Sequence, residues 1–402
     1  ALIDRAITET YALKDITAES DFRNIEAPLM SDFELVLSGM EGGESLAQRL
    51  SKYTKGTWSG FINRPSNIDI NKKFIQAFFR IRKQPSALSE ANFSFLTYSS
   101  SIAIAIIANY LAKKKFTVAL IEPCFDNLPD LIKHFGITTV PLKEEWLHDP
   151  ATLYKTLEKY LIDIDAIMIV DPNNPTGKTL FSHKRKAFSE LIRFIKEKNK
   201  ILIFDFCFSL FLQNDAHLKV FDIYQLLIKS GVNYLTVEDT GKIWPTQDIK
   251  AAILSCNAAL SRDIYDIYSS YLLNVSPFAL ALQVEYIKDS GKDNFTLMHS
   301  LLEKNREIAR EELHGSILAI QESQVNVSVL WCKITDPSVT STELQEIIRQ
   351  HGVYILSGTY YYWHNHQEGE HYIRIALARD TDMFTKALKQ LRQVLDTLPS
   401  TF

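Results

Sequence analysis

The sequence predicts an α/β protein in which a mostly parallel sheet carries helices on both faces, with a smaller α+β unit at the C-terminal end. The first observation is that short, wholly apolar runs, such as those at 166–170 and 201–204, alternate with amphipathic stretches. Continuous apolar runs of this kind are typical of parallel strands that are buried on both faces. The second observation is a length of 402 residues with 46% hydrophobic residues, which suits a large domain with a smaller one appended.

The elements of the large domain are predicted from local patterns of apolar residues. Strands are expected where short apolar clusters stand between turn residues, at 95–98, 118–121, 166–170, 201–204, 234–237 and 251–254. Helices are expected where apolar residues recur at helical spacing, at 102–111, 127–135 and 184–198. Because a helix separates most successive strands, we expect parallel pairing through helical crossovers.

The C-terminal elements indicate a second, smaller unit. A long amphipathic helix at 295–313 is expected to lead into it, followed by strands at 327–331 and 372–376 and helices at 342–350 and 383–395. We therefore divide the chain into three parts. Residues 1–45 form an N-terminal segment that packs on the small domain as an active-site lid, 46–290 a cofactor-binding large domain, and 291–402 a small C-terminal domain.

The composition argues against several classes of protein. A net charge of -4 gives no basic surface for nucleic acid, and no apolar run approaches the roughly 20 residues that cross a bilayer. The four cysteines are far apart and have neither metal-binding nor redox spacing, so we expect reduced thiols and no metal. The first residues lack the pattern of a signal peptide. We therefore expect a cytoplasmic protein that acts on a small molecule, without a nucleic-acid or membrane partner.

Three polar residues follow predicted strands in an order that favours a pyridoxal 5′-phosphate (PLP) site. Asn174 lies in the run Asp-Pro-Asn-Asn-Pro-Thr-Gly, Asp205 ends the next apolar run, and Lys242 lies in Glu-Asp-Thr-Gly-Lys. Ligands of parallel sheets bind at the carboxyl ends of the strands, so these side chains are expected to meet at one edge. A lysine can bind PLP as an imine, an aspartate can keep the ring nitrogen protonated, and an asparagine can donate to the ring oxygen.

Further residues complete the predicted site. Ser100 and Ser101 stand between a strand and a helix, where the amides of a helix N-terminus can hold a phosphate. Lys250 can neutralise the same phosphate, and Phe125 offers a flat face on which the cofactor ring can stack. Arg374 can clamp a substrate carboxylate through two parallel hydrogen bonds.

Each of these residues has an ordinary structural interpretation when it is taken alone. Asn-Pro-Thr-Gly is a common turn, a strand-end aspartate often caps a helix, and a loop lysine is usually solvated. Their order and spacing together favour the cofactor site. A rival constellation, Trp363-His364-Asn365-His366 with His371, has the composition of a metal site but no acidic or sulfur ligand at a distinctive spacing. We interpret that segment as a solvent-exposed loop or substrate lid.

Through these motifs the chain resembles, over roughly residues 80 to 400, the class I aminotransferase family, which has fold type I of the PLP-dependent enzymes. The resemblance implies a homodimer with active sites at the subunit interface. It departs at Phe208, three positions after Asp205, where such enzymes place a tyrosine that donates a hydrogen bond to the ring oxygen of the cofactor. Phenylalanine cannot donate one, so this departure argues against a standard aminotransferase.

A more specific resemblance is to the PLP- and oxygen-dependent L-arginine oxidases and hydroxylases of non-proteinogenic amino-acid biosynthesis. The segments that carry it are 98–101, 125–127, 238–246, 275–277 and 374–377. That group also has phenylalanine at the position of Phe208. The resemblance implies that acids hold the guanidinium group of arginine, namely Asp239 and, from an N-terminal helix, Glu9 and Asp21. The alternative is that Glu9 and Asp21 are ordinary exposed helix charges.

The hydroxylases carry a water-delivering histidine where this chain has Arg23, so the resemblance favours a desaturating oxidase over a hydroxylase. The leading hypothesis is an oxidase, or a hydroxylase, of L-arginine or a related cationic amino acid in specialised-metabolite (antibiotic) biosynthesis. Electron-rich cofactor intermediates would reduce dioxygen, and hydrolysis would release a 2-oxo acid and ammonia. The alternatives are an aminotransferase, a cyclase or lyase acting on arginine or hydroxyarginine, and a non-catalytic domain that binds a small amine.

Overall fold

The computed structural model describes residues 67–181, 185–213, 218, 221–244, 246 and 249–398. The predicted N-terminal segment, with Glu9, Asp21 and Arg23, lies outside these residues. Within the described ranges, no helix combines the length and the apolar character needed to cross a membrane.

A seven-stranded sheet forms the centre of the larger part of the molecule. Its strands, in chain order, are β1 (Asn92–Thr97), β2 (Thr117–Glu122), β3 (Thr138–Lys143), β4 (Ala166–Val170), β5 (Ile201–Asp205), β6 (Asn233–Asp239) and β7 (Ala252–Asn257). They lie side by side in the order β1-β7-β6-β5-β4-β2-β3. The strands from β2 to β6 pair in parallel, whereas β7 is antiparallel to both of its neighbours. The prediction of a mostly parallel sheet is confirmed.

Helices connect the strands and cover both faces of this sheet. They are α1 (Asn67–Ile81), α2 (Ser100–Lys114), α3 (Asn127–His134), α4 (Leu153–Tyr160), α5 (Lys186–Glu197), α6 (Ile223–Ser230), α7 (Ala258–Tyr271) and α8 (Pro277–Asp293). The hydroxyl of Tyr224 in α6 hydrogen-bonds that of Thr236 at 2.9 Å, and the amide of Ser100 in α2 donates to Asp239 at 2.9 Å. Because odd and even residues of a strand point to opposite faces, α6 and α2 lie on opposite faces of β6.

The helix α2, which begins at the carboxyl end of β1, is apolar around most of its circumference and is therefore buried. Ser99 caps its N-terminus by accepting the Ile102 amide at 3.3 Å, and Ser101 accepts the side-chain amide of Asn127 at 3.1 Å. The helix ends at Lys115, which adopts a left-handed conformation with a φ of 57°. Burial and capping together fix the first turn of α2 at the edge of the sheet.

A second, antiparallel sheet follows in the C-terminal part. Its strands are β8 (Leu318–Ile320), β9 (Val329–Ile334), β10 (Leu356–Ser357) and β11 (Tyr372–Ala376), in the spatial order β10-β11-β9-β8. The helices α9 (Thr296–Leu313), α10 (Ser341–Gln350), α11 (His366–Gly369) and α12 (Thr381–Thr397) accompany it. Ile373 and Ile375 pack into the apolar core of this sheet. Arg374, which stands between them on β11, therefore points to the other face.

The predicted elements recur with ends that differ by a few residues, and β4 and β11 have the predicted ranges. The sequence patterns do not predict β3, β8 or β10. β3 is an edge strand that contains Pro141, and proline weakens a strand pattern although an edge tolerates it. β8 and β10 contain only three and two residues, too few to show a periodic pattern.

Candidate active site

The carboxyl ends of β4, β5 and β6 lie side by side at one edge of the seven-stranded sheet. In the parallel register Val170 pairs with Asp205, and Asp205 pairs with Val237. The loop of Asn174 follows β4, and the turn of Lys242 follows β6. The structure therefore brings the three residues of the predicted constellation to the same edge, because parallel neighbours end together.

Lys242 lies in the turn between β6 and β7. The Thr240 amide donates to the Ala251 carbonyl at 3.0 Å, and the Ala251 amide donates to the Thr240 hydroxyl at 2.9 Å, so the base of the turn is closed. The Nζ atom of Lys242 lies 5.3 Å from the centre of the Phe125 ring. Phe125 follows β2, so an amine and a flat aromatic face from different strands border the same space.

Asp205 is a buried carboxylate close to Lys242. Its side chain is 8% exposed, and its Oδ1 accepts the Cys207 amide at 2.9 Å. Burial raises the pKa of Asp205, and the charge of Asp239 raises it further, whereas the hydrogen bonds from Cys207 and the charge of Lys242 lower it. A cation held against this carboxylate would favour its charged form. A protonated ring nitrogen is a cation of that kind.

Asp239 ties the start of α2 to the lysine turn. Its buried Oδ2 accepts the Ser100 amide at 2.9 Å, and its Oδ1 accepts the Gly241 amide at 2.5 Å. Lys250 packs against the same turn, since a Cβ added to Gly241 would lie 2.9 Å from the Lys250 Cδ. Ser100 and Lys250 therefore both contact the turn formed by Asp239 and Gly241. Each oxygen of Asp239 can still accept one more hydrogen bond.

Arg374 reaches this edge from β11. It is 6% exposed, and its guanidinium donates a long hydrogen bond of 3.5 Å to the Asn174 Oδ1. Its Cζ lies 5.5 Å from the centre of the buried Tyr361 ring, which stands edge-on to Trp331 at a centroid distance of 5.4 Å. The guanidinium is thus placed beside Asn174, a position that suits a clamp for a substrate carboxylate.

Two buried carboxylates hold the loop that carries Asn174. Asp171 accepts the Thr179 hydroxyl at 2.6 Å and the Leu180 amide at 2.7 Å, and Glu144 accepts the side-chain amide of Asn173 at 2.7 Å. Burial raises the pKa of Asp171 to about 7, although its hydrogen bonds oppose the shift. The loop is therefore fixed from both sides, and Asn174 with it.

Phe208 belongs to the core of the four-stranded sheet. It is 4% exposed, and its ring lies edge-on to Phe211 with the centroids 5.3 Å apart. An aromatic ring in an apolar cluster offers no hydrogen-bond donor toward the neighbouring Asp205. The Phe208 ring therefore packs with the core of the four-stranded sheet.

The segment with Trp363 and three histidines packs partly against the sheet. The Trp363 indole donates to the Ile121 carbonyl at 3.0 Å, and the side chains of His364, His366 and His371 are exposed. Among the residues described, no group of three or more His, Cys, Asp or Glu side chains could hold a metal. The segment is therefore a contact between the two sheets rather than a wholly solvent-exposed loop.

Three residues at this edge are not predicted from the sequence. Cys207 contacts the carboxylate of Asp205, Tyr361 underlies Arg374, and Glu122 accepts backbone amides from the C-terminal part of the chain. The first two carry no local signal. Glu122 could have been found, because a charged residue at the end of a buried strand needs a polar partner.

This set of side chains fits PLP. An amine beside an aromatic face can bind an aldehyde, a buried carboxylate can face a ring nitrogen, and a helix N-terminus with a nearby lysine can hold a phosphate. The close approach of Lys250 to Gly241 supports the fit, because any side chain at 241 would displace that lysine from the turn.

Comparison with known proteins supports the same cofactor. A family model for aminotransferase class I and II matches residues 44–391. A structure of MppP soaked with the product 2-ketoarginine is 31% identical to this chain, with a TM-score of 0.73, and the match covers 85% of this chain and 93% of that one. The histidinol-phosphate aminotransferase from Clostridium acetobutylicum is 18% identical, with a TM-score of 0.64 and coverage of 87% and 96%, which shows a shared fold alone.

A curated relative matches over a shorter length. A protein described as a probable aspartate/prephenate aminotransferase of Aquifex aeolicus (strain VF5) is 28% identical over 199 residues, which are 49% of this chain and 49% of that protein. The chain therefore matches about half the length of this relative. The family model, in contrast, spans most of the chain, and enzymes of this family use PLP. The chain belongs to the class I and II aminotransferase family of PLP-dependent enzymes.

Proposed function

We propose that this enzyme is an oxidase of L-arginine, or of a related cationic amino acid, that uses PLP and dioxygen. The observation that carries the proposal is the buried carboxylate of Asp239, which is bonded to the lysine turn through the Gly241 amide. A carboxylate at this place offers an anionic partner to the guanidinium of a substrate, whose burial would otherwise be costly. The likeness to MppP, whose structure was soaked with 2-ketoarginine, supports the same substrate class.

In this proposal the two ends of the amino acid are held by opposite charges. Arg374 binds the α-carboxylate, and its position beside Asn174 supports this role. Asp239 uses its remaining acceptor positions for the guanidinium. Glu9 and Asp21, which lie outside the described residues, would add further carboxylates from the N-terminal segment.

Proton transfer is assigned to Lys242 and Asp205. PLP supplies an electron sink for the negative charge that forms at the substrate Cα. Lys242 would hold the cofactor through its Nζ and would accept the Cα proton of the substrate on the same atom. Asp205 keeps the ring nitrogen protonated, because a buried carboxylate and a protonated ring nitrogen stabilise each other's charged form.

The remaining residues hold the cofactor in place. Phe125 covers one face of the ring, beside which Lys242 already lies. Asn174 donates its side-chain amide to the ring oxygen. The hydroxyl groups of Ser100 and Ser101, at the first turn of α2, bind the phosphate together with Lys250, since the Ser100 amide is bonded to Asp239.

Phe208 supports oxidation over amino transfer. Without a hydroxyl at this position, the ring oxygen has one donor fewer, and more electron density stays on the cofactor. A cofactor that is richer in electrons reduces dioxygen more readily. A desaturating oxidase is proposed over a hydroxylase because Arg23 replaces the histidine to which the resemblance assigns water delivery.

An aminotransferase is the second candidate. The family match and the Aquifex relative fit it as well as they fit an oxidase, and it would use Lys242, Asp205 and Arg374 in the same way. A cyclase or lyase on the same scaffold would need a leaving group at Cγ. It would therefore consume hydroxyarginine without oxygen.

Oxygen uptake by the purified holoenzyme separates these candidates. With L-arginine an oxidase consumes dioxygen and water and yields the 2-oxo acid, ammonia and hydrogen peroxide in equal amounts; side-chain desaturation requires further dioxygen. We expect sustained uptake, with the products identified by mass spectrometry. Anaerobic amino transfer to added 2-oxo acids, without oxygen uptake, would refute the proposal in favour of an aminotransferase. Anaerobic turnover of hydroxyarginine would favour the cyclase.

We also propose a homodimer, as the family likeness implies. Several large apolar side chains are exposed, among them Tyr98 at 40%, Tyr271 at 40% and Leu273 at 94%. Exposed apolar groups of this kind are typical of contact surfaces. Light scattering of the holoenzyme should give twice the monomer mass, and a monomer would contradict the proposal.

A further inference from the structure

We infer that Glu122 is a positioning residue, which holds the segment beneath Arg374 and so sets the affinity of the enzyme for the α-carboxylate of its substrate. The inference rests on the proposed role of Arg374 as the carboxylate clamp. It adds a residue on β2 that does not belong to the predicted constellation.

Glu122 is the last residue of β2 and is 4% exposed. Its Oε1 accepts the backbone amide of His364 at 2.7 Å and that of Asn365 at 3.3 Å. Within the described part of the chain, the Glu122 side chain accepts hydrogen bonds from these two amides. A buried carboxylate thus serves a segment that follows it by 242 positions.

Two neighbouring bonds make the attachment continuous. The Trp363 indole donates to the Ile121 carbonyl at 3.0 Å, and the Cys124 amide donates to the Tyr361 carbonyl at 3.0 Å. Residues 361–365, which we call the tether segment, are therefore bonded along their length to the end of β2 and the residues after it. The contact thus combines one bond between backbone groups with bonds that a side chain makes from each of its two sides.

The tether segment supports the clamp directly. The ring of Tyr361, at its first position, is 1% exposed and lies 5.5 Å from the Arg374 Cζ. At the other side of the contact, Cys124 precedes Phe125, whose ring lies 5.3 Å from the Lys242 Nζ. The distance between the clamp and the amine is therefore set through this contact, since each is packed against one side of it.

Chemistry explains why a carboxylate stands at position 122. Two backbone amides donate to one oxygen of this side chain, and an anionic oxygen accepts stronger hydrogen bonds than a neutral one. Truncation to alanine would leave both amides of the tether segment without this partner. Glutamine would keep a carbonyl oxygen in reach of both amides, so it is the matched control.

The test compares holoenzymes of wild type, Glu122→Ala and Glu122→Gln. Dissociation constants are measured from the change in cofactor absorbance for L-arginine and for agmatine, which lacks the carboxylate. A second pair, L-leucine and isoamylamine, also differs only in the carboxylate but has no cationic side chain, so it tests the clamp independently of the proposed substrate. We expect Glu122→Ala to bind both amino acids roughly tenfold more weakly, with both amines unchanged and Glu122→Gln near wild type.

Hydrogen exchange gives a second measurement on the same variants. The amides of His364 and Asn365 should exchange faster in Glu122→Ala and at the wild-type rate in Glu122→Gln. If Glu122→Ala does not fold, Trp363→Phe, which removes the adjacent indole donor, takes its place. We expect Trp363→Phe to weaken the binding of the amino acids while leaving the binding of the amines unchanged.

The possible outcomes separate the two proposals. An equal loss for amino acids and amines would mean that Glu122 acts only on stability, and unchanged constants or unchanged exchange would mean that it does not hold the tether segment; each overturns the inference. If wild type itself binds amino acids no better than amines, the clamp role of Arg374 fails and the inference falls with it. If the loss appears only with the leucine pair, Glu122 keeps its role and the cationic substrate is refuted.

Discussion

Replacing Asp205 by asparagine should slow turnover strongly while leaving the fold intact. The amide oxygen of asparagine can still accept the Cys207 amide, which lies 2.9 Å from Oδ1, so the backbone after β5 keeps its bond. What is lost is the negative charge of Asp205, which is 8% exposed and which we propose faces the ring nitrogen of the cofactor. A buried hydrogen bond to a charged partner contributes about 2–4 kcal/mol when the charge is removed, which corresponds to a rate lower by on the order of 30- to 1,000-fold.

The assay for Asp205→Asn is steady-state turnover of L-arginine, together with the absorbance of the bound cofactor. Asp165→Asn is the matched control, because Asp165 also accepts a backbone amide, that of Thr117 at 2.8 Å, but lies at the opposite edge of the same sheet. We expect the control to turn over at the wild-type rate. Full activity of Asp205→Asn with bound PLP would show that this carboxylate does not face the ring nitrogen, and the assignment of the site would fail.

Three further predictions follow from individual contacts. Arg374→Lys keeps the charge but loses the forked geometry, so KM for the amino acid should rise roughly tenfold with kcat little changed, and a fall in kcat alone would contradict the clamp role. Phe208→Tyr restores the hydroxyl that the resemblance assigns to this position and should raise the ratio of amino transfer to oxygen uptake by roughly tenfold; an unchanged ratio would mean that Phe208 does not favour oxidation. The pKa of Asp171 is about 7 in the folded state against an ordinary 3.8, so between these values the folded protein binds the additional proton and its free energy of unfolding falls as the pH rises. Asp171→Asn should therefore flatten the pH dependence of the urea midpoint between about pH 4 and about pH 7, and an undiminished slope would assign that dependence to other groups.

Local sequence patterns are sufficient to predict those site residues that directly follow the strands of the parallel sheet. The alternation of apolar runs and helices requires parallel neighbours whose carboxyl ends meet, so the sequence alone places Asn174, Asp205 and Lys242 at one edge. Phe208 is recognisable as a departure for the same reason, because its distance from Asp205 is fixed by the sequence. Short or edge strands such as β3 and β10 are not predicted, because a proline or a length of two residues removes the periodic signal.

The order of residues along the chain specifies which chemical groups follow which strand, since that depends on sequence neighbours alone. Contacts between distant residues come from the folded molecule: Glu122 holds residues that follow it by 242 positions, and Tyr361 lies under Arg374. In the same way, Asp239 accepts the amide of Ser100 across 139 positions. Such contacts depend on how elements that are distant in the chain pack against one another, and the hydrogen bonds that fix this packing leave no periodicity in the residues that make them.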